Sequence, residues 1–219
     1  MKSLFLLTLL VLPFFSNVTS QHTDENWVLK RDKGGIKVYV RENPDSKIKE
    51  LKFTTKVEAS LNTITSVLTH IEGYDKWVYA SVISRPIKII SDREAYYYTE
   101  VDFPWPFDNR DLVLHSKVWQ DPKTLTIHTL TTSAHWMEAE KEGLVRIKKA
   151  DLRWTFTPLG NGVVKVDYYM NTDPGGKIPA WMVNLAADQG PLQTMIKFKE
   201  MLTEEQYKNS KLAFVKEMK

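Results

Sequence analysis

Aromatic surface and charge meet in the stretch VDFPWPFDNRDLV, residues 101–113. Trp105 lies between two prolines, Phe107 follows, and Asp108-Asn109-Arg110-Asp111 comes next. Carboxylates beside a guanidinium can form charge-assisted hydrogen bonds. Neither Pro104 nor Pro106 can donate to a sheet ladder, so Trp105 and Phe107 are expected on a loop that interrupts two strands. Other groups able to move a proton or meet a polar ligand are scattered: His115, His128, His135 and Arg146 lie on or beside strand-like segments. For these a solvent-facing or locally satisfied side chain is the commoner arrangement. Glu100 and Asp102 could serve as a general base, but that role needs a neighbour that perturbs them. No nucleophile elbow, His-Glu-x-x-His pair, phosphate loop or dinucleotide fingerprint is present, and Gly160-Asn161-Gly162 fits a hairpin turn. With no cysteine there is no thiolate chemistry. No metal or cofactor is expected.

A formal charge of +3 over 219 residues excludes a broad nucleic-acid-binding face. The size and the 42% hydrophobic content suit one domain with a sizeable core. Seven Trp, nine Tyr and nine Phe favour a large apolar interior or an apolar cavity. Residues 1–20, MKSLFLLTLLVLPFFSNVTS, read as a secretory signal. Lys2 gives a positive start, Leu4 to Phe15 is apolar apart from Thr8, and small residues precede Gln21. That run is shorter than the roughly 20 residues of a spanning helix. Export to a periplasm or the cell exterior follows from this reading, as a monomer held by its core without disulfides.

The elements come next. Glu25 to Arg31 reads as a short helix, and Ile36, Val38 and Val40 then alternate as in a half-buried strand. Leu51, Phe53, Thr55 and Val57 repeat the pattern, and the two strands should pair across Asn43-Pro44-Asp45-Ser46. Leu61, Ile64, Val67, Leu68 and Ile71 recur at helical spacing, with Ser60 as N-cap and Gly73 as stop. Trp77 and Val78 fall in a second short helix or turn. From Pro86, six alternating segments follow, VRIKKADLRWTFTPL (145–159) being read as one strand. In the last two, Leu152, Trp154 and Phe156 form one face, and Val164, Val166, Tyr168 and Met170 another. A final helix, roughly Pro179 to Met201, carries Ile178, Met182, Leu185, Gln189, Leu192 and Ile196 on one stripe. Pro191 cannot bond to the carbonyl of Ala187, so a kink or break is expected there. An α+β domain over residues 21–207 results: an antiparallel sheet covered by the terminal helix, with a polar tail at 208–219.

Three segments, FPWPFDNRD (103–111), LRWTFTPLGNGVVKVDYYM (152–170) and DPGGKIPAWMVN (173–184), together resemble the START domain, the StAR-related lipid-transfer family. The resemblance covers nearly everything after residue 20. It implies a helix-grip fold, in which a curved sheet wraps a long C-terminal helix and encloses a cavity for one lipid or sterol. Transient membrane contact and no covalent chemistry go with it. The cavity and lid candidates so implied are Trp105, Phe107, Arg110, His128, Trp154 and Tyr168 on the sheet side, and Trp181, Met182, Leu185, Gln189 and Leu192 on the helix. Arg110 either pins the base of the 103–107 loop or makes an ordinary surface ion pair. Ser116 stands where several members bury an arginine, so neither their buried charge pair nor sterol specificity is carried over. The weakness at Gly190-Pro191 would let Trp181 to Gln189 lift and admit a ligand. Related helix-grip folds also include cyclases and dehydratases, for which Tyr96 to Tyr98, Arg110 and His128 would be the candidates. A structural or partner-binding role stays open as well.

Overall fold

A computed structural model of the protein describes residues 26–218. The secretory-signal reading of residues 1–20 lies outside these described residues. Strands β1 (Val28–Lys33), β2 (Ile36–Asn43) and β3 (Ser46–Glu58) come first. Helices α1 (Leu61–Thr69) and α2 (Tyr74–Trp77) follow, with a 3-10 turn at Ile71–Gly73 between them. Seven strands come next: β4 (Ser81–Ser91), β5 (Glu94–Val101), β6 (Asn109–Gln120), β7 (Ile127–Ser133), β8 (Leu144–Arg146), β9 (Lys149–Gly160) and β10 (Val163–Asp173). Helices α3 (Ala180–Ala186), α4 (Gln189–Met201) and α5 (Glu205–Lys208) complete the order.

All ten strands belong to one sheet, ordered β1-β2-β3-β10-β9-β7-β6-β5-β4, with β8 off this path beside β6. Along the path every pairing is antiparallel, whereas β8 runs parallel to β6. Register places one transverse row of side chains on the same face: Val38 opposite Phe53, Phe53 opposite Tyr168, and Tyr168 opposite Trp154. Because side chains alternate across a strand, that row fixes an inner face for the whole sheet. Leu61, Ile64 and Val67 of α1 and Leu192, Met195 and Phe198 of α4 pack on it, forming one core. Ser60 caps α1, its hydroxyl accepting from the Thr63 N–H at 3.0 Å.

Four expectations from sequence are corrected. Residues read as a helix up to Arg31 instead enter strand β1, which pairs with β2 although all its side chains are exposed. An edge strand is held through its backbone ladder, so the periodicity of its side chains says little. The single strand read at 145–159 is two, since β8 pairs with β6 before the chain turns and β9 joins β7 and β10. Leu152 to Phe156 and Val164 to Met170 share the inner face as register partners rather than forming separate faces. The final helix is two helices, with Ala187 and Asp188 between them. The missing N–H of Pro191 falls where α4 starts, so the expected kink is realised as a break. Beyond residue 207 the chain also touches the body: Val215 is buried, and the Glu217 carboxylate accepts from the Leu61 and Asn62 N–H groups at the start of α1.

Candidate functional site

The inner face has two apolar clusters. One lies under α4 and includes Trp77, Trp154, Phe156, Tyr168 and Phe198. The other gathers Ile71, Tyr97, Leu112, Leu114, Ile147 and Ala150. Tyr74 packs against both, and its hydroxyl donates to the Leu68 carbonyl at 2.5 Å. A chain of rings joins them: Tyr97 to Tyr74 at 5.6 Å, Tyr74 to Trp77 at 5.3 Å, Trp77 to Trp154 at 6.3 Å and Trp154 to Tyr168 at 4.1 Å. Edge-to-face and offset contacts at such separations are favourable for aromatic quadrupoles.

Several strand positions of this face carry hydroxyls. Ser84 donates to Thr99 at 2.8 Å, Thr131 donates to Ser116 at 2.8 Å, and Thr129 accepts from the Trp154 N–H at 3.1 Å. Among the described residues, the Trp77 indole N–H and the Thr172 hydroxyl are buried without a partner, as is the Tyr98 hydroxyl on the outer face. Burial pushes the pKa of Tyr74, Tyr97 and Tyr168 above the ordinary tyrosine value, and at Tyr97 the nearby Tyr74 and Tyr168 add to it. These phenols therefore keep their protons when folded, while unfolded tyrosine ionises near pH 10. A raised folded-state value contributes stability fully below the unfolded pKa and loses it as pH rises. Urea midpoints are thus expected to hold from pH 8 to 9.5 and to fall above about pH 10, at up to ~1.4 kcal/mol per pH unit for each group. A midpoint unchanged through pH 11 would contradict this placement.

One edge of the site is built by Arg110. It is neither exposed nor a surface ion pair: its residue is only 2% exposed. Its Nε donates to the Pro174 carbonyl at 3.3 Å, Nη1 to the Asp108 carbonyl, and Nη2 to the Gly175 carbonyl at 3.5 Å. Phe103 and Phe107 rings lie 4.2 and 6.0 Å from the guanidinium. Burial lowers its pKa, and Asp108 acts in the opposite direction. Arg110 thus ties the 103–108 loop to the turn that leads into α3. Gly176 has φ +70°, and a Cβ there would stand 3.2 Å from Arg110 Nη2, so the latch leaves room for glycine.

On the outer face the neighbouring Asp111 does form a buried pair. Both of its oxygens accept from Arg146, at 2.8 Å each, and both side chains are 1% exposed. A buried charge pair is therefore present, although Ser116 supplies no part of it. At the other edge, Asp188 is fully buried between α3 and α4 and accepts from Lys30 at 2.6 Å and Arg31 at 2.9 Å, both on β1. Burial opposes its ionisation, but these bonds more than offset that and hold its pKa below the usual carboxylate range.

The candidates named from sequence are dispersed. Trp154 and Tyr168 line the inner face and Leu192 lies in the core. His128 is on the outer face, stacked on Trp119 at 5.4 Å. Trp105 is 92% exposed on its loop, and Phe107 is half-buried against Arg110. In α3, Trp181 and Leu185 are exposed, Met182 is intermediate, and no side chain of the helix is buried. Gln189 is exposed at the start of α4. Gly190 is closely packed as well as flexible, since a Cβ there would meet the Tyr79 ring at 2.8 Å. Sequence reasoning did not single out Tyr74, Asp188 or Phe198. Strict alternation within AYYYTEV would have separated Tyr97, facing inward with Ala95 and Thr99, from Tyr96 and Tyr98.

The whole arrangement has known counterparts. A family model for the START domain matches residues 14–206. An uncharacterized protein of Pseudomonas aeruginosa is 31% identical over 89% of this chain and 95% of its own length. The human phosphatidylcholine transfer protein is 26% identical over 75% of this chain and 78% of its own. Among solved structures, the STAR-related lipid transfer protein of Xanthomonas axonopodis superposes with a TM-score of 0.77 at 29% identity, covering 82% of this chain and 100% of that one. Large antiparallel sheet, C-terminal helices and matched sequence agree, and the chain belongs to the START domain family.

Proposed function

We propose that this protein carries one lipid or other hydrophobic molecule between the inner face of its sheet and its C-terminal helices, and exchanges it at membranes. The observation that carries this reading is α3, a helix with no buried side chain beside a sheet face rich in apolar rings. It is bounded by the Gly175-Gly176 turn, both at positive φ, and by the break before α4, and to lift it must release only the bonds Asn184 makes with Lys30 Nζ, the Lys49 N–H and the Lys47 carbonyl. Burying a lipid's chains there is favourable by roughly 25 cal/mol per Å². No covalent step is required. Trp105 and, on α3, Trp181 and Leu185 offer exposed apolar side chains for a passing membrane contact, and Arg110 links the loop of the first to the turn before the helix. Lys2, the apolar run to Phe15 and the small residues before Gln21 support export to the periplasm or the cell exterior.

Extraction of the purified protein with organic solvent should release one lipid-like molecule per chain, identified by mass spectrometry. The variant Trp181→Ser/Leu185→Ser should slow exchange of that molecule with vesicles several-fold at unchanged stability. No bound lipid, together with no uptake from vesicles, would overturn the carrier reading.

A further inference from the structure

We infer that Asn184 is the catch of α3, holding this helix against the sheet, and that it governs how fast cargo enters and leaves rather than how tightly cargo is held. The inference rests on the carrier reading, in which α3 is the part that lifts. It follows from what fastens a helix that has no buried side chain.

Without buried side chains, apolar packing holds α3 only weakly, and its polar contacts matter more. Among the described residues, the hydrogen bonds that join α3 to the sheet all belong to Asn184. Its Oδ1 accepts from the Lys49 N–H at 2.9 Å, and its Nδ2 donates to the Lys47 carbonyl at 2.9 Å. Its main-chain carbonyl accepts from Lys30 Nζ at 3.1 Å, and the same ammonium bonds to Asp188 at 2.6 Å.

The contact is made where the sheet leaves backbone groups uncovered. Strand β10 pairs with β3 from Leu51, opposite Met170, to Glu58, so Lys47 and Lys49 lie before that ladder begins. The Asn184 amide meets them as a peptide group of a neighbouring strand would, its oxygen taking an N–H and its nitrogen reaching a carbonyl. Asparagine suits the task because its planar amide carries both an acceptor and donors, and it is the only amide side chain in AWMVNLA. Alanine could make neither bond. Every partner in these contacts is part of the protein itself. Losing them weakens the closed form equally with its interior filled or empty, so entry and exit quicken together while affinity stays the same.

The test compares the purified protein with Asn184→Ala, using phosphatidylcholine vesicles that carry a fluorescent phosphatidylcholine as probe. Alanine favours the helix itself, so any loosening reflects the lost bonds. Uptake and release should each become about tenfold faster, the effect of two neutral hydrogen bonds, with dissociation constant and melting temperature unchanged. Native-state hydrogen exchange should also rise about tenfold in the amides of α3 and stay the same in α4. The sign is opposite to that expected for Trp181→Ser/Leu185→Ser, so neighbouring positions of one helix separate the catch from the membrane contact. Unchanged hydrogen exchange in α3 would overturn the inference. Faster release with unchanged uptake would make Asn184 a cargo contact and overturn its kinetic role. Should the variant not fold, hydrogen exchange of the unsubstituted protein decides: α3 must open separately from α4, and a common rate for both overturns the catch. No uptake by either protein and no lipid extracted from either, with α3 loosened by the substitution, would overturn the carrier reading and leave Asn184 as the fastening of α3.

Discussion

Replacing Asp111 with alanine is expected to destabilise the protein by about 3–5 kcal/mol, the usual cost of leaving one half of a buried ion pair unmatched. Arg146 would stay where it is, because its other bonds hold it: Nη1 donates to the His135 and Glu138 carbonyls at 3.1 and 2.8 Å, and Nη2 to the Ala139 carbonyl at 3.1 Å. Its hydrogen bonds to the Asp111 carboxylate are the main reason its pKa is raised, so without that carboxylate the cation loses the group that favours its charge. The same contacts fold residues 135–146 over the outer face, where Tyr98, Val113 and Ala134 make a small core of their own. Damage should therefore centre on that excursion. Removing both partners, as in Asp111→Leu/Arg146→Met, should cost much less than the single change, since no ion is then buried alone. Urea titration of the two variants checks the contrast; a single-variant loss under about 1 kcal/mol would show that the pair is not sealed from water.

Phe198→Ala should cost a similar amount, about 3–5 kcal/mol. Phe198 is fully buried on α4, its ring 5.4 Å from Trp77, 5.2 Å from Trp154 and 6.0 Å from Phe156. Those neighbours come from α2 and β9 and are themselves held in ring contact, so they cannot close around the space the lost ring leaves. Leu185→Ala on α3, at a position 68% exposed, should change stability by no more than about 0.5 kcal/mol. The two substitutions remove comparable apolar side chains from adjacent helices, and their difference measures how separately those helices are attached. Equal losses would mean that α3 is bound to the body and is no lid.

Local patterns carried much of the fold. Alternation placed Val38, Phe53, Trp154 and Tyr168 on strands, helical spacing placed Leu61 to Leu68 on α1, and Pro191 marked the break before α4. What local patterns lack is the identity of the partner. Strand β1 buries no side chain, so nothing in its residues distinguishes a ladder against β2 from a helical turn. Continuous alternation through residues 145–159 hides the switch from β6 to β7 and β10. Met182 and Leu185 form a respectable stripe, yet amphipathicity cannot say whether a surface waits beneath it. At the site the gap is wider. Asp111 and Arg146 are 35 residues apart, and Asp188 is more than 150 from Lys30 and Arg31. Such pairings exist only once the sheet is assembled, and the same is true of two tyrosines brought to one surface from β5 and β10.

The attachment of Asp188 to β1 also separates two clocks. On the carrier reading, with its carboxylate bolted to the first strand, the joint between the last helices would stay put while the shorter helix swung, like a hatch whose frame is welded to the hull. Loading and unloading would then proceed at a pace set by that hatch, whereas the lifetime of the folded molecule would be set by the aromatic stack beneath its neighbour. Cargo turnover would on that reading be sped up or slowed by changes along seven residues, Ala180–Ala186, without shortening the life of the vessel.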